Sequence, residues 1–262
     1  MRTREPRAPR AVVAMEAWPA RIEAVCAASR LFQNARVLHE TASTQDVARG
    51  MGVGAVVTAW RQTGGRGRLG RAWADTREDG VAISVVVRRP SSALASIAAG
   101  VAAAVAIERT ASAAGHASLR IMLKWPNDLM LGGKKLGGIL VEADEAVLVI
   151  GIGINCSQRE FSAELASWAT SLRLHGTDVD RIDLACELLR ALDAWLVADD
   201  AEVVAEFERR DALAGGRHEF TTPDGKVAGV VLGVDPLHGI RVEADGGILT
   251  LDPHTTSVVP QA

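Results

Sequence analysis

The sequence predicts an α/β protein of the α+β type, in which a mixed sheet with packed helices precedes a small all-β module. Up to about residue 214, apolar runs that suit buried strands alternate with helical patterns. Beyond residue 215, strand-like runs are short and separated by glycine-containing turns, as in a small barrel. We therefore expect a disordered leader at residues 1–15, a main domain at 16–214 and a β-barrel module at 215–262.

The first elements follow a leader whose first ten residues hold four arginines and two prolines. Apolar positions recur at helical spacing over residues 17–31. A strand at 36–39 leads to Ser43, a typical N-cap residue for a short helix over 45–49. The apolar residues 55–60 then form a buried strand that delivers the chain into an arginine-rich loop.

The remaining elements continue the alternation of strands and helices. Further strands of the main domain are predicted at residues 81–87, 120–125, 129–131, 136–142 and 147–154. Further helices are predicted at residues 93–107, 183–196 and 201–213. Gly132 and Gly133 suit the positive φ angles of a tight hairpin turn. The strands of the module are predicted at residues 227–234, 240–243 and 248–251.

Composition excludes some classes of function. The formal net charge is −3, so the chain lacks the basic field of a general nucleic-acid binder. The three cysteines show neither a metal-ligand spacing nor a disulfide framework, which favours a reducing, cytoplasmic setting. No apolar run has the length and composition of a membrane span, so we expect no membrane partner.

The segment 64–71, GGRGRLGR, places three arginines among four glycines. Like charges this close repel one another, so the loop is most stable where an anion neutralises it. A solvated basic loop is the competing interpretation. We reject the formal match to G-x-G-x-x-G, because no helix opens at its last glycine and no acidic residue follows at the required distance.

The segment 124–142, KWPNDLMLGGKKLGGILVE, supplies an aromatic residue, an Asn-Asp pair and two adjacent lysines. Each has an ordinary interpretation when taken alone. Asn127 and Asp128 are typical of a turn, and Lys124, Lys134 and Lys135 are typical solubilising charges beside a hairpin. The tryptophans predicted only to pack are Trp18, Trp60, Trp168 and Trp195.

In combination the motifs are far more specific. GRGRLGR, KWPND, KKLGGILVE and GIGIN occur in this order, each at a strand edge or turn. The chain thereby resembles the biotin–protein ligases, also called biotin–acetyl-CoA-carboxylase ligases. The resemblance covers residues 41–157 strongly and extends more weakly through the tail, which it implies is an SH3-like β-barrel.

This resemblance implies an ATP-dependent ligase that forms biotinyl-5′-AMP from biotin and ATP, with Mg²⁺ accompanying ATP. The biotin would then pass to a specific lysine of a biotin carboxyl carrier domain of an acyl-CoA carboxylase. The reaction first brings two anions together, a carboxylate and a phosphate, so it needs cationic side chains. No protein-held metal is expected.

Site residues follow from the resemblance, position by position. The implied catalytic residues are Lys135, Arg68 and Asp128. The implied biotin-binding residues are Ser43, Thr44, Gln45, Gln62, Arg66, Gly67, Arg68, Lys135 and Gly138. The implied nucleotide-binding residues are Arg66, Arg68, Arg71, Trp73, Asn127, Lys135 and Asn155. Gln45 stands where many family members carry Asn.

The resemblance is to the form without an N-terminal DNA-binding domain. About 42 residues precede Ser43, which is too few for a winged helix, so we expect no operator binding. The sequence leaves open a monomer or a weak homodimer. It also leaves open two other functions, a lipoate- or octanoate-ligase-like acyl-adenylate enzyme and a binding protein with a degenerate site.

Overall fold

A computed structural model of the chain describes residues 13–73, 78–88, 94–116, 118–144, 146–235, 238–252 and 255–259. Most of the predicted leader lies outside these ranges. The described part begins at Val13, whose backbone N–H donates to the Asp180 carboxylate over 2.6 Å. Met15 already belongs to a short 3-10 helix, Met15–Ala17.

The elements follow the predicted alternation. The helices are α1 Trp18–Ala27, α2 Thr44–Met51, α3 Ala95–Ala113, α4 Ala163–Ala166, α5 Arg181–Trp195 and α6 Asp200–Glu208. Two further 3-10 helices span Arg68–Gly70 and Arg173–His175. The strands of the body are β1 Asn34–Thr41, β2 Ala55–Gln62, β3 Gly65–Arg66, β4 Ala72–Trp73, β5 Gly80–Arg88, β6 Met122–Lys124, β7 Asp128–Leu131, β8 Lys134–Ala143 and β9 Val147–Asn155. Those of the tail are β10 Arg217–Thr222, β11 Gly225–Asp235, β12 Gly239–Ala244, β13 Gly247–Leu251 and β14 Ser257–Val258.

The body is built on a seven-stranded sheet in the order β1-β2-β5-β9-β8-β7-β6. β1 and β2 are parallel and connected through α2, whereas the other neighbours are antiparallel. The predicted mixed sheet is therefore confirmed. So is the tight turn between β7 and β8, where Gly132 and Gly133 have φ angles of 58° and 78°.

Several predicted boundaries differ from those in the structure. The first helix ends at Ala27 rather than at residue 31. Beyond it, the carboxylate of Asp193 accepts bonds from the Ser29 hydroxyl and from the backbone N–H groups of Arg30 and Leu31. The helix predicted at 201–213 ends at Glu208, because the following residues extend along the edge of β6.

The two faces of the sheet have different coverings. On one face, α1, α3 and α5 form a single buried layer with the apolar residues of the strands. Alanine makes up most of the buried residues of α3, so its backbone can approach the strands closely. On the other face, α2 covers only part of β2, β5 and β9. The rest of that face is open and forms the floor of a cavity.

The tail is a five-stranded antiparallel sheet in the order β13-β12-β11-β10-β14. The all-β prediction is confirmed, but the sheet is open where a closed barrel was expected. Among the described residues, β14 pairs with β10 over only two positions, and it forms no ladder with β13. In the described ranges, no helix is both long and apolar enough to cross a membrane.

Candidate active site

A cavity of about 1670 Å³ lies between the open sheet face, the segment 64–73 and the tail. It brings together every residue that the sequence predicted for the site. They are Ser43, Thr44, Gln45, Gln62, Arg66, Gly67, Arg68, Arg71, Trp73, Asn127, Asp128, Lys135, Gly138 and Asn155. Segments far apart in the chain therefore converge on one place.

Glycines make the floor of the cavity flat. Gly138 of β8 and Gly153 of β9 are register partners, and the Trp73 ring lies over both. A Cβ atom on Gly153 would lie 2.8 Å from that ring, and one on Gly138 would lie 3.5 Å from the Lys135 ammonium. Only glycine at position 153 lets a flat group lie directly on the strand backbone here.

A polar cluster forms one end of the cavity. Gln62 Oε1 accepts bonds from the Thr44 backbone N–H at 2.9 Å and from the Thr44 hydroxyl at 3.0 Å. That hydroxyl also lies 2.8 Å from the hydroxyl of Ser84 on β5. Ser43 is the predicted N-cap of α2, and its side chain accepts a bond from the Asp46 N–H. These side chains fix each other in place beside the floor.

Gln45 lines the cavity, but its amide group is directed at the sheet. Its side-chain N–H donates to the Val149 carbonyl at 3.3 Å. Asn127 and Asn155 also use their amide N–H groups internally, on the carbonyls of Ile139 and Thr170. In this structure, all three side chains therefore hold segments of the cavity wall together.

The arginine loop, residues 64–73, is a short hairpin in which β3 pairs with β4. The Arg66 guanidinium forms a two-pronged ion pair with Asp46 of α2, with N···O distances of 2.8 and 2.5 Å. The hydrogen bond from Arg66 lowers the pKa of Asp46. The loop is thus fastened to α2 by a side chain that was predicted to bind ligand.

This ion pair gives a first prediction. Asp46→Asn is expected to loosen the arginine loop, because a neutral amide holds a guanidinium less strongly than a carboxylate does. Hydrogen exchange of residues 64–73 should be several-fold faster than in the unmodified protein. Glu40→Gln serves as the control, because it removes the carboxylate from another exposed ion pair, the one between Glu40 and Arg61. Unchanged exchange in Asp46→Asn would contradict a fastening role.

Lys135 and Asp128 form an ion pair in the cavity, with Nζ 2.6 Å from Oδ1. Their side chains are 24% and 25% exposed, so solvent screens the pair only in part. The Lys135 ammonium also lies 5.9 Å from the centre of the Trp73 ring. The backbone of Lys135 is held by the segment after β9, through bonds to Trp168 and Thr170. By contrast, the Lys134 ammonium donates to the Ala166 carbonyl.

Two more cations, Arg68 and Lys124, line the same region. Burial lowers the pKa of both, and the negative charge of Asp128 opposes that effect. The positive charge of Arg71 further lowers the pKa of Arg68. The positive charge of Lys135 does the same to the pKa of Lys124. Arg68, Lys124 and Lys135 therefore surround Asp128 with an excess of positive charge.

Three residues that line the cavity, Lys124, Ser84 and Trp168, were not predicted to belong to the site. Lys124 belongs to the KWPND motif. Its place opposite Asp128 could have been inferred from antiparallel pairing of the two strands that flank this turn. Ser84 has a weak signal, since it is a polar residue within an apolar strand. Trp168 was predicted to pack, yet it is 44% exposed and lines the cavity.

Comparison with known proteins identifies the family. Residues 36–158 match the model of the biotin/lipoate A/B protein ligase family. The biotin–(acetyl-CoA-carboxylase) ligase of Mycobacterium tuberculosis is 34% identical over 239 residues, which are 87% of this chain and 83% of that protein. The chain belongs to the biotin–protein ligase family.

Other biotin–protein ligases extend the comparison to structure. The enzyme of Aquifex aeolicus, solved in complex with biotin and ATP, superposes with a TM-score of 0.76 at 29% identity. That match covers 88% of this chain and all of the Aquifex chain. The bifunctional ligase/repressor BirA of Escherichia coli is 31% identical over 196 residues, or 71% of this chain and 60% of BirA. As a biotin–protein ligase, the chain thus matches the Aquifex enzyme over the whole length of that protein.

Proposed function

We propose that this protein joins biotin to ATP to form biotinyl-5′-AMP and then transfers the biotin to a lysine of a biotin carboxyl carrier domain. The observation that carries the proposal is the cluster of Arg68, Lys124 and Lys135 around Asp128, beside a glycine floor. Membership of the biotin–protein ligase family and the likeness to a ligase solved with biotin and ATP support it.

Biotin fits the floor and the polar cluster. Its bicyclic ring is largely apolar, and its ureido group offers one carbonyl and two N–H groups. The hydroxyls of Thr44 and Ser84 and the carbonyl oxygen of Gln62 supply both donors and acceptors at one end of the floor. We propose that the ureido group binds there and that the valeryl chain extends along the floor to Lys135.

In the first step, a biotin carboxylate oxygen attacks the α-phosphorus of ATP, a P–O bond forms, and pyrophosphate leaves. Two anions must approach each other, so nearby cations lower the barrier. We propose that Lys135 bridges the carboxylate and the α-phosphate while Arg68 and Arg71 contact phosphate oxygens. We propose that Trp73, Asn127 and Asn155 contact the adenine end of the nucleotide.

Mg²⁺ accompanies ATP in this proposal and neutralises phosphate charge. Within the described ranges, no three His, Cys, Asp or Glu residues form a metal-binding group. Mg²⁺ bound with a nucleotide is usually held mainly by phosphate oxygens and water.

In the second step, the carrier lysine amine attacks the acyl carbon, an amide bond forms, and AMP leaves. An amine is nucleophilic only when neutral, and a free lysine is mostly protonated near neutral pH. We propose that Asp128 accepts the proton from the incoming amine. Once Lys135 is engaged with phosphate, Asp128 is available at the same point of the cavity.

This assignment predicts a separation of the two steps. Asp128→Asn should slow transfer from preformed biotinyl-5′-AMP by about 10²–10⁴-fold, the usual contribution of a general base. Biotin-dependent exchange of pyrophosphate into ATP should stay within several-fold of the unmodified protein. Equal losses in both assays would show that Asp128 supports the site as a whole and is not specific to transfer.

The finer assignments are also proposals. We propose that the protein acts as a monomer or weak homodimer, without binding operator DNA, in a reducing cytoplasm. The overall negative charge and the three buried free cysteines, Cys26, Cys156 and Cys186, support this view. Light scattering across a concentration series tests the oligomeric state. A gel shift with biotin-operon DNA tests whether the protein binds operator DNA.

The decisive experiment is exchange of labelled pyrophosphate into ATP with biotin, and with lipoate and octanoate as controls. Exchange that depends on biotin alone is the expected result. The controls matter because the family model that matches the chain includes lipoate ligases. Exchange with lipoate or octanoate instead would assign the protein to that branch, and no exchange with any acid would indicate a binding protein.

A further inference from the structure

Lys124 is a half-buried cation whose position in the sheet defines its neighbour. It is the last residue of β6, and its register partner on β7 is Asp128. Directly paired residues project from the same face, with Cβ atoms about 4.5–5.5 Å apart. A lysine side chain is long enough to bring its ammonium to a carboxylate at that distance.

The Lys124 ammonium is nevertheless not bonded to Asp128. In the part of the chain that the structure describes, the Lys124 ammonium has neither a hydrogen bond nor an ion pair. Asp128 instead pairs with Lys135 through Oδ1, and no described residue donates to its other oxygen. Two lysines therefore flank one carboxylate from adjacent positions, and only one of them is paired.

Catalysis as proposed above requires Lys135 to leave Asp128. Its ammonium must move to the reacting carboxylate and phosphate, and Asp128 would then remain in a partly desolvated cavity without a partner. A buried carboxylate that loses its cation is strongly destabilised. Without a replacement cation, this penalty would oppose every productive movement of Lys135.

We propose that Lys124 is a positioning residue that pairs with Asp128 when Lys135 moves to the substrates. The proposal rests on the proposed function, because the movement of Lys135 belongs to the adenylation step. Lys124 does not touch the reacting atoms in this scheme. It stabilises the state in which Lys135 is free to act, and it keeps the Asp128 carboxylate oriented for the transfer step.

The test is a double-mutant cycle between positions 124 and 128, measured by biotin-dependent pyrophosphate exchange. Lys124→Met keeps most of the aliphatic stem and removes the charge. We expect it to lower kcat by about tenfold to a hundredfold, less than the 10²–10³ expected for a donor on the reacting oxygens. The KM for biotin should change by less than about twofold, because Lys124 makes no contact with biotin in this scheme.

The decisive comparison is made in the Asp128→Asn background. With a neutral amide at position 128, no unpaired carboxylate remains when Lys135 moves to the substrates. Lys124→Met should therefore have no further effect on exchange. Lys124→Arg should retain most of the activity. Lys134→Met, which removes the neighbouring lysine that faces away from the cavity, should behave as the unmodified protein.

The outcomes separate this inference from the function itself. Three results would each overturn the role given to Lys124. They are a Lys124→Met loss that is as large with Asn at position 128 as with Asp, an unchanged exchange rate in Lys124→Met, and a loss in Lys124→Arg equal to that in Lys124→Met. Absence of biotin-dependent exchange in the unmodified protein would overturn the proposed function instead. A thermal melt of each variant establishes that the rates refer to folded protein.

Discussion

Lys135→Met is expected to lower biotin-dependent pyrophosphate exchange by about 10²–10³-fold, the usual cost of losing a donor that stabilises charge in the transition state. The Lys135 ammonium lies beside the glycine floor, 5.9 Å from the Trp73 ring centre and 3.5 Å from where a Cβ atom on Gly138 would lie. Methionine retains an apolar side chain of similar length. The expected loss is therefore one of charge rather than of packing.

Lys134→Met provides the matched control for this measurement. The two lysines are adjacent in sequence, but the Lys134 ammonium is occupied by the Ala166 carbonyl. Its replacement should leave exchange within about twofold, because an exposed charge of this kind contributes little energy. Comparable losses in the two variants would mean that the hairpin as a whole, rather than Lys135, is responsible.

Arg210→Met is expected to destabilise the protein by about 3–5 kcal/mol, the typical cost of removing one partner from a buried ionic network. The Arg210 side chain is only 4% exposed, and it pairs with Glu108 of α3 and Glu206 of α6. It also donates to the Ile121 carbonyl just before β6. The substitution leaves two carboxylates without their buried cation, and chemical denaturation measures the result.

Arg209→Met is the control for this second prediction. Arg209 binds the same Glu206 carboxylate, but its side chain is 61% exposed. We expect a loss below about 1 kcal/mol, as is usual for exposed ion pairs. If Arg209→Met and Arg210→Met were equally destabilising, burial would not be the reason for the effect.

The same network implies a dependence on pH. Burial tends to raise the pKa of Glu206, but its bonds to Arg209 and Arg210 outweigh burial and lower it. A carboxyl whose pKa is lower in the folded state adds stability above its unfolded pKa, about 4.3, and that stability is lost as the pH falls through the folded value. The difference between Arg210→Met and the unmodified protein should therefore shrink below about pH 4.

Much of the fold was predictable because its signals are local. Continuous apolar runs marked β2, β5 and β9, and Ser43 marked the start of α2. The glycine pair at 132–133 marked the turn between β7 and β8. The early end of α1 was not predictable, because the carboxylate that holds the next residues comes from Asp193, far along the chain.

The residues of the candidate site could be proposed from the sequence, but their arrangement could not. Its motifs gave the candidates, and they all line one cavity. Which groups are already bonded to each other depends on register and on distant contacts. The Arg66–Asp46 pair and the inward-facing amide of Gln45 are examples, since neither partner is near the other in sequence. Lys124 is likewise unpaired because Lys135 takes the Asp128 carboxylate, and the sequence alone does not show which lysine does so.

The covering of β6 has a consequence for synthesis on the ribosome. The Leu123 N–H donates to the Arg210 carbonyl and the Leu123 carbonyl accepts from the Ala212 N–H, so residues 210–212 protect this edge of the sheet. A nascent chain that has not yet reached residue 212 leaves the edge open beside the reactive cluster, and open edges promote association between chains. We therefore expect fragments that stop before residue 210 to aggregate, whereas fragments that include residue 212 should be more soluble at equal expression.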